Sequence, residues 1–461
     1  MSLTLVLVVI FVLGYLAIAF EHPLKINKAA PALLIGVLTW TAWVIMGGET
    51  HLISEKLSHH LAETAEILFF LLGAMTIVEM VDSHQGFKII TNRIKTKDSR
   101  KLLWIISILT FFLSAVLDNL TTSIVMVSLL RRLVHDDKQR IFFASMVIVA
   151  ANAGGAWSPI GDVTTTMLWI KGQISAANII ETLLVPSLVC MAAPLIYLSF
   201  KMKGEIKRAD YDYEAAEKDE NVKGSKLMFF LGVSALLFVP IFKTVTHLPP
   251  YMGMLLGLAV IWAVSELIHI DKDEEEKKPY TAIHALSKID TSSILFFLGI
   301  LLAISSLEST GILEELAMWM NKTIGNKDII VVAIGLLSAV VDNVPLVAAS
   351  QGMYPLATEL VNPDAYHFAM SHTNLIHDGI VMYNGVEYFL QDAKLWEFIA
   401  FCAGTGGSCL IIGSAAGVAV MGMEKIDFIW YMKRITILAL IGYFAGILCY
   451  VAIHPIFAVT Y

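Results

Sequence analysis

Apolar residues run through this chain in blocks of about twenty, set apart by short polar or charged joints. A block of that length crosses a bilayer as a helix. The blocks are continuous and do not alternate as barrel strands do. The pattern predicts spans over 3–20 and 29–47, a polar interfacial stretch at 48–62, and a third span at 64–82. Residues 102–134 are apolar on either side of Asp118 and Asn119. Residues 141–170 are broken by Asn152-Ala-Gly-Gly-Ala-Trp-Ser-Pro-Ile-Gly-Asp162, and 182–200 form a plain span. After a charged joint at 201–226 the plan is repeated. Spans fall at 227–243, 252–269 and 291–307, an interrupted block at 329–360, a broken block at 396–424 and a final span at 435–453.

The two halves share wording as well as plan. Ser114-Ala-Val-Leu-Asp-Asn119 is matched by Ser338-Ala-Val-Val-Asp-Asn343. Gly406-Gly407 fall on Gly154-Gly155, Gly413 on Gly161, and Ser414 on Asp162. Basic residues stand at both ends of 102–134, with Lys88, Arg93, Lys95, Lys97, Arg100 and Lys101 at its entry and Arg131, Arg132, Lys138 and Arg140 at its exit. Basic residues near spans favour the cytoplasm. The block is therefore expected to dip in, turn at Asp118-Asn119 and return. Backbone that turns at such depth is tolerated only where it is buried or lines a cavity. With that hairpin opening inside, all but six of the 32 Lys and Arg are cytoplasmic, the exceptions being Lys56, Lys171, Lys243, Lys322, Lys327 and Lys394. The first half, 1–200, then starts outside, and the second, 227–461, starts inside beyond the cytoplasmic linker 201–226. The fold class expected is an all-α polytopic membrane protein: an inverted repeat with two re-entrant hairpins and two broken helices. Its binding site is expected near mid-membrane at the repeat interface. Residues 361–394 have no counterpart and are assigned to an external interfacial insertion.

Composition agrees: 57% of residues are hydrophobic and 16% charged, against about a quarter charged in soluble domains. Mean hydropathy is +0.72. The net charge of −8 resides mostly in the joints and points to no partner; no nucleic acid is expected. Cys190, Cys402, Cys409 and Cys449 lie in apolar runs without metal-like spacing and read as small core residues. Residues 1–20 lack the basic head of a signal peptide and read as a retained span. An acid at bilayer depth costs several kcal/mol, roughly 2.5–3.5 on insertion scales, and is a functional candidate by default. The interruptions supply Asp118, Asp162 and Asp342, with neutral oxygens from Asn119, Thr121, Thr122, Asn152, Thr164, Asn343, Ser408 and Ser414. Hard oxygen donors without sulfur or imidazole suit an alkali or alkaline-earth cation. Helix ends meeting at mid-membrane add carbonyls for a cation. A carboxyl taken out of water binds protons more readily, so one carboxylate can take a proton and a cation in turn, which is the simplest form of exchange. No Lys or Arg is read among these residues, which argues against an anion.

A lone Asp-Asn pair would read equally well as a helix cap; its duplication beside duplicated glycine breaks favours an ion site. Glu63, Glu66, Glu79, Asp82, Asp290 and Glu308 sit near span ends and read as interfacially solvated. The run Asp271 to Lys278 reads as a solvated loop, His372 and His377 as a candidate pH sensor, and Trp40, Trp43, Trp396 and Trp430 as interfacial anchors.

These motifs resemble the NhaD-type sodium/proton antiporters of the ion transporter superfamily. The residues that carry the likeness are Leu117-Asp118-Asn119, Ala151 through Asp162 with Thr164, Val341-Asp342-Asn343-Val-Pro345, and Gly404-Thr-Gly-Gly-Ser-Cys-Leu-Ile-Ile-Gly-Ser-Ala-Ala-Gly417. It extends over nearly the whole chain. The resemblance implies a homodimer with a scaffold domain and a mobile transport domain carrying both hairpins, moving as an elevator. It implies export of Na⁺ and Li⁺ against entering H⁺, without a cofactor or enzymatic chemistry, across a bacterial inner membrane or that of an organelle of bacterial origin. By position, Asp118, Asn119, Asn152, Asp162, Thr164, Asp342, Asn343, Ser408 and Ser414 inherit the cation/proton role, with Asp118, Asn119, Asp162, Asp342 and Asn343 as Na⁺ ligands. Related sodium-coupled dicarboxylate symporters have tips resembling Ser-Asn-Thr, where this chain places aspartate. A sodium-coupled anion symporter or an arsenite exporter of the same superfamily is the rival reading, since arsenite exporters resemble the Asp-Asn tips. An intramembrane aspartyl protease is a remote one. Its acids share a proton by close approach on ordinary helices, not on turns followed by Asn.

Overall fold

The computed structural model describes residues 2–457 and 459, apart from 20, 92, 93, 95, 203 and 207–221. Most of the linker read at 201–226, and Arg93 and Lys95 of the first basic joint, thus lie outside the described residues. The main helices of the first half are α1 (Leu3–Ala19), α2 (Ala29–Ile45), α3 (Thr50–Ser83), α4 (Ser99–Leu117), α5 (Asn119–Leu133), α6 (Asp137–Ala156), α7 (Val163–Ile170) and α8 (Ala176–Lys201). The second half supplies α9 (Ser225–Thr246), α10 (Pro250–Ile268), α11 (Thr291–Ser309), α12 (Ile312–Ile324), α13 (Lys327–Leu337) and α14 (Asn343–Met353). It continues with α15 (Pro363–Ser371), α16 (Lys394–Gly406), α17 (Ala415–Glu424), α18 (Phe428–Arg434) and α19 (Thr436–Phe457). Among the described residues, α3, α4, α8, α9, α10, α11 and α19 are long and apolar enough to cross a membrane.

The broken blocks break where expected. One non-helical residue, Asp118, separates α4 from α5. Residues 157–162 separate α6 from α7, and 407–414 separate α16 from α17. The polar stretch 48–62 is not a separate interfacial segment: α3 is one helix of 34 residues. Gly47, at φ 99°, turns the chain ahead of it. From Glu49 to Leu72 there is no glycine or proline, so polarity alone gives the helix no reason to stop. The helix α12, fenced by Gly311 and Gly325 at positive φ, was not expected either.

Packing follows the same plan in both halves. The α1 helix lies on α2, as α9 lies on α10. The third long helix of each half then packs on the second of the other, α11 against α2 and α3 against α10. Helices α2 and α11 cross so closely that a Cβ on Gly299 would overlap the Ala32 backbone. Helices α8 and α19 run against one another, while α4 packs on α6 and α13 on α16.

Residues 356–390 form a small sheet of order β1-β3-β2, with β1 (Leu356–Ala357), β2 (Ile380–Tyr383) and β3 (Val386–Leu390). Here β1 pairs parallel to β3, Leu356 opposite Phe389, and β2 pairs antiparallel, Ile380 opposite Phe389. Asn384 and Gly385, both at positive φ, make the two-residue hairpin turn. Ala357, Ala365, Ala369, Val381 and Leu390 form its own small core under α15. His372 and His377 are exposed on this insertion, far in the chain from the aspartate tips. Two anchor readings are corrected. Trp40 is buried and donates to the Leu302 carbonyl at 2.8 Å, and Trp396 is wholly buried. An aromatic ring near a span end fills the bundle interior as readily as the interface. Cys190, Cys402 and Cys409 are buried and all four cysteines are free.

Candidate cation site

The two halves build their breaks by the same contacts. Ser114 Oγ donates to the Ala151 carbonyl at 2.6 Å, and Ser338 Oγ to the Ala403 carbonyl at 2.8 Å. A Cβ on Gly154 would collide with the Phe111 carbonyl, and one on Gly406 with the Gly335 carbonyl. Glycine is the residue that lets α4 and α6, and α13 and α16, approach to backbone contact. Beyond the breaks, Asp162 and Ser414 hold near-identical backbone angles, φ −145° with ψ 149° and 153°. Each caps the helix it begins: Asp162 accepts from Thr164 N and Ser414 Oγ from Gly417 N, both at 3.1 Å.

These breaks place one buried carboxylate between the two tips. Asp162 Oδ2 accepts from Asn119 Nδ2 at 2.9 Å and from Asn343 Nδ2 at 3.1 Å. Asn119 Nδ2 also reaches Asn152 Oδ1 at 3.1 Å. Asn152 Nδ2 in turn donates to Ser408 Oγ and Ser414 Oγ, each at 2.9 Å. Asn119, Asn152, Asp162, Thr164, Asn343, Ser408 and Ser414 are therefore one connected group. All are buried. Among the described residues no Lys, Arg or His forms an ion pair with Asp162. Amide dipoles and the N-terminus of α7 face its charge. Among the described residues, Thr122 Oγ1 is buried without a hydrogen-bond partner. An asparagine turned over presents its carbonyl oxygen where its NH₂ stood. The group can thus solvate a carboxylate or complete an oxygen shell around a small cation.

Asp118 and Asp342 stand apart from this group, and differently from each other. Asp118 caps α5, accepting from Thr121 N at 2.8 Å and Thr121 Oγ1 at 2.7 Å. It does so at φ 76°, ψ 158°, a conformation that costs a non-glycine residue about 1–3 kcal/mol. Asp342 makes no cap bond. The residue three places on, which in α5 is Thr121, is here Pro345 and has no N–H to give. The Asp342 carboxylate instead meets Lys28, Nζ to Oδ2 at 3.2 Å. This corrects the reading that no lysine stands among these residues. Lys28 precedes α2 at a span end, but its four-carbon stem carries the ammonium to the second tip.

A narrow crevice opens on the site, lined by Asp118 and Asp162 and by Phe70, Met75, Leu236 and Met254. A second is lined by His60, Glu63, Lys171, Glu308 and Gln351. There Glu63 is paired with Lys171 at 3.2 Å, and with His59 and His60 at 3.4 and 3.5 Å, rather than merely solvated.

Comparison with known proteins agrees with this architecture. The family model described as "Citrate transporter" matches residues 5–373. "Sodium/proton antiporter 1" of Arabidopsis thaliana is 48% identical over 446 residues, covering 96% of this chain and 72% of that protein. "Sodium/proton antiporter 2" of the same plant is 45% identical over 450 residues, covering 96% and 98%. "Na(+)/H(+) antiporter NhaD" of Vibrio cholerae is 29% identical over 478 residues, covering 96% and 91%. With its long apolar helices, the chain is an integral membrane protein. A family match spanning most of the sequence and relatives aligned almost end to end agree with the residues already assembled: the chain belongs to the NhaD-type sodium/proton antiporters of the ion transporter superfamily.

Proposed function

We propose that this protein is a secondary active transporter that exchanges Na⁺, and Li⁺, for H⁺. The observation that carries the reading is Asp162: a buried carboxylate with no cationic side-chain partner among the described residues, held between Asn119 and Asn343. A small monovalent cation fits there among oxygens from Asn119, Asn152, Asp162, Thr164, Asn343, Ser408 and Ser414, with Asp118 on the adjoining crevice and Asp342 at the second tip. Protonation of the carboxylates expels the ion and deprotonation recruits it, so both cargoes use one site in turn. The relatives named as sodium/proton antiporters support the same exchange.

Alternating access is proposed to run as an elevator. The paired packing of α1–α2 with α11, and of α9–α10 with α3, supports an inverted repeat and supplies a scaffold. The tips and broken helices supply the carrier. A homodimer in a bacterial inner membrane is the setting proposed. Lys28 gives the rival anion symporter one positive group, but its ammonium is committed to Asp342. In proteoliposomes with a trapped pH dye, pulses of Na⁺ and Li⁺ are expected to release protons, and K⁺ is not. Citrate-dependent Na⁺ uptake without proton release would reverse the assignment.

A further inference from the structure

Asp342 and Lys28 come from two helices that meet on a third. Asp342 heads α14, packed on α7 and α16 of the carrier and also on α11 of the scaffold. Lys28 heads α2, packed on α11 of the scaffold, and its ammonium lies 4.4 Å from the ring centre of Phe296 on α11. The two side chains are only 22% and 15% exposed. Pro345 denies Asp342 the cap that occupies Asp118, so its carboxylate is left to whatever cation stands opposite. In this arrangement that cation is the lysine. Tyr15 of α1 is the other titratable side chain facing Asp342 from the scaffold.

An alkylammonium and Na⁺ carry the same charge and need the same carboxylate oxygens. We infer that Lys28 is a tethered competitor for the transported cation at Asp342, and that it sets the sodium affinity of the carrier. The inference rests on the antiport reading above. When α14 lies against α11, the lysine holds Oδ2 and weakens the hold on Na⁺. When the carrier moves off, the lysine stays with the scaffold and Asp342 is released to the ion. Affinity thereby differs between the two ends of the stroke. An arginine would pair through two fixed N–H groups and yield less readily.

The test is the initial rate of Na⁺-driven proton release against Na⁺ concentration at alkaline pH, in proteoliposomes of wild type and Lys28→Gln. The expected result is a KM for Na⁺ lowered about fivefold with kcat held within about twofold, the size of effect a part-buried ion pair exerts. An unchanged or raised KM overturns the inference. A wild type that shows no Na⁺ response overturns the antiport reading, and the competitor with it, so the two failures are told apart. A second variant guards against a folding defect. Lys28→Cys is made in a Cys449→Ser chain, since the other three cysteines are buried. 2-Aminoethyl methanethiosulfonate, which restores an ammonium, should bring KM back up, and uncharged methyl methanethiosulfonate should leave it low. Equal effects of the two reagents would show that bulk, not charge, sets KM, and would overturn the inference.

Discussion

Among the described residues Asp162 pairs with no cationic side chain, so its replacement by Asn removes the charge without freeing a buried cation. Asp162→Asn is expected to abolish Na⁺-dependent dequenching while the protein still inserts and runs at its normal position in gel filtration. Asn343→Ala keeps the carboxylate but removes the amide oxygen proposed to join the cation's shell, and KM for Na⁺ is expected to rise roughly tenfold, the worth of one polar contact to a charged group. The aspartates and asparagines at the tips were legible in the sequence because an acid inside an apolar run has few other reasons to be there. Their division of labour was less so. That Asp118 caps its own helix while Asp342 reaches outward follows from Thr121 standing where the second copy has Pro345. Lys28 was hidden because it is 314 residues away in the chain, and nothing in its neighbourhood marks how far its stem will reach.

At the level of helices, the glycine crossings are the most exacting feature. Gly154→Ala and Gly406→Ala each push a methyl group into a carbonyl across the crossing. Either should cost about 1–3 kcal/mol by overpacking and lower the melting temperature in detergent. Beyond one crossing, Arg131 and Arg140 converge on Glu424 at the end of α17, at 2.7 and 2.6 Å. Glu424→Ala leaves Arg140 with Asp137 and the half-exposed Arg131 to solvent, and is expected to destabilise by about 2 kcal/mol, the worth of hydrogen bonds to a charged group. A third helix-end device lies where α3 meets α10. His84 Nδ1 bonds the Met80 carbonyl, His269 Nε2 meets His84 Nε2 at 3.2 Å, and His269 stacks on Tyr280. Burial, with His84 and Lys272 nearby, holds His269 down at about 4, and burial lowers His84 too. The packing is therefore full strength above the ordinary histidine range near 6.5 and is lost as pH falls from there toward about 4. Amide exchange around 269–282 is expected to speed up over that window, and His269→Phe should flatten the dependence. The helices themselves were readable from apolar block lengths. The extent of α3 and the existence of α12 were not, because polar residues mark where lipid ends and not where a helix does.

On the scale of the whole molecule, the proposed elevator would have to break contacts between its scaffold and its carrier. Glu63 on α3 and Lys171 at the end of α7, 3.2 Å apart, form a pair that such a stroke would part. The pair Glu63→Cys with Lys171→Cys is expected to lose transport under oxidant and regain it with reductant; unaffected transport in the cross-linked protein would argue for a different motion. The repeat was visible in the sequence as shared wording, since two copies of one packing problem keep the same small residues. The sheet at 356–390 was visible only as a leftover, although Asn384-Gly385 between Tyr383 and Val386 is a hairpin signal of the plainest kind. That sheet has a consequence of its own. Asp392 N bonds the Gln173 carbonyl and its Oδ1 takes Ser175 N, while Gln351 holds the Gln173 side chain. The chain leaving β3 is thus stitched to the loop after α7, which Gln351 ties in turn to the last turns of α14, the helix from which β1 follows; a body held at that seam rides with those helices as a passenger. A fluorophore on Leu360, which is 95% exposed, would travel with it like a flag on a lift and make each stroke visible from solution.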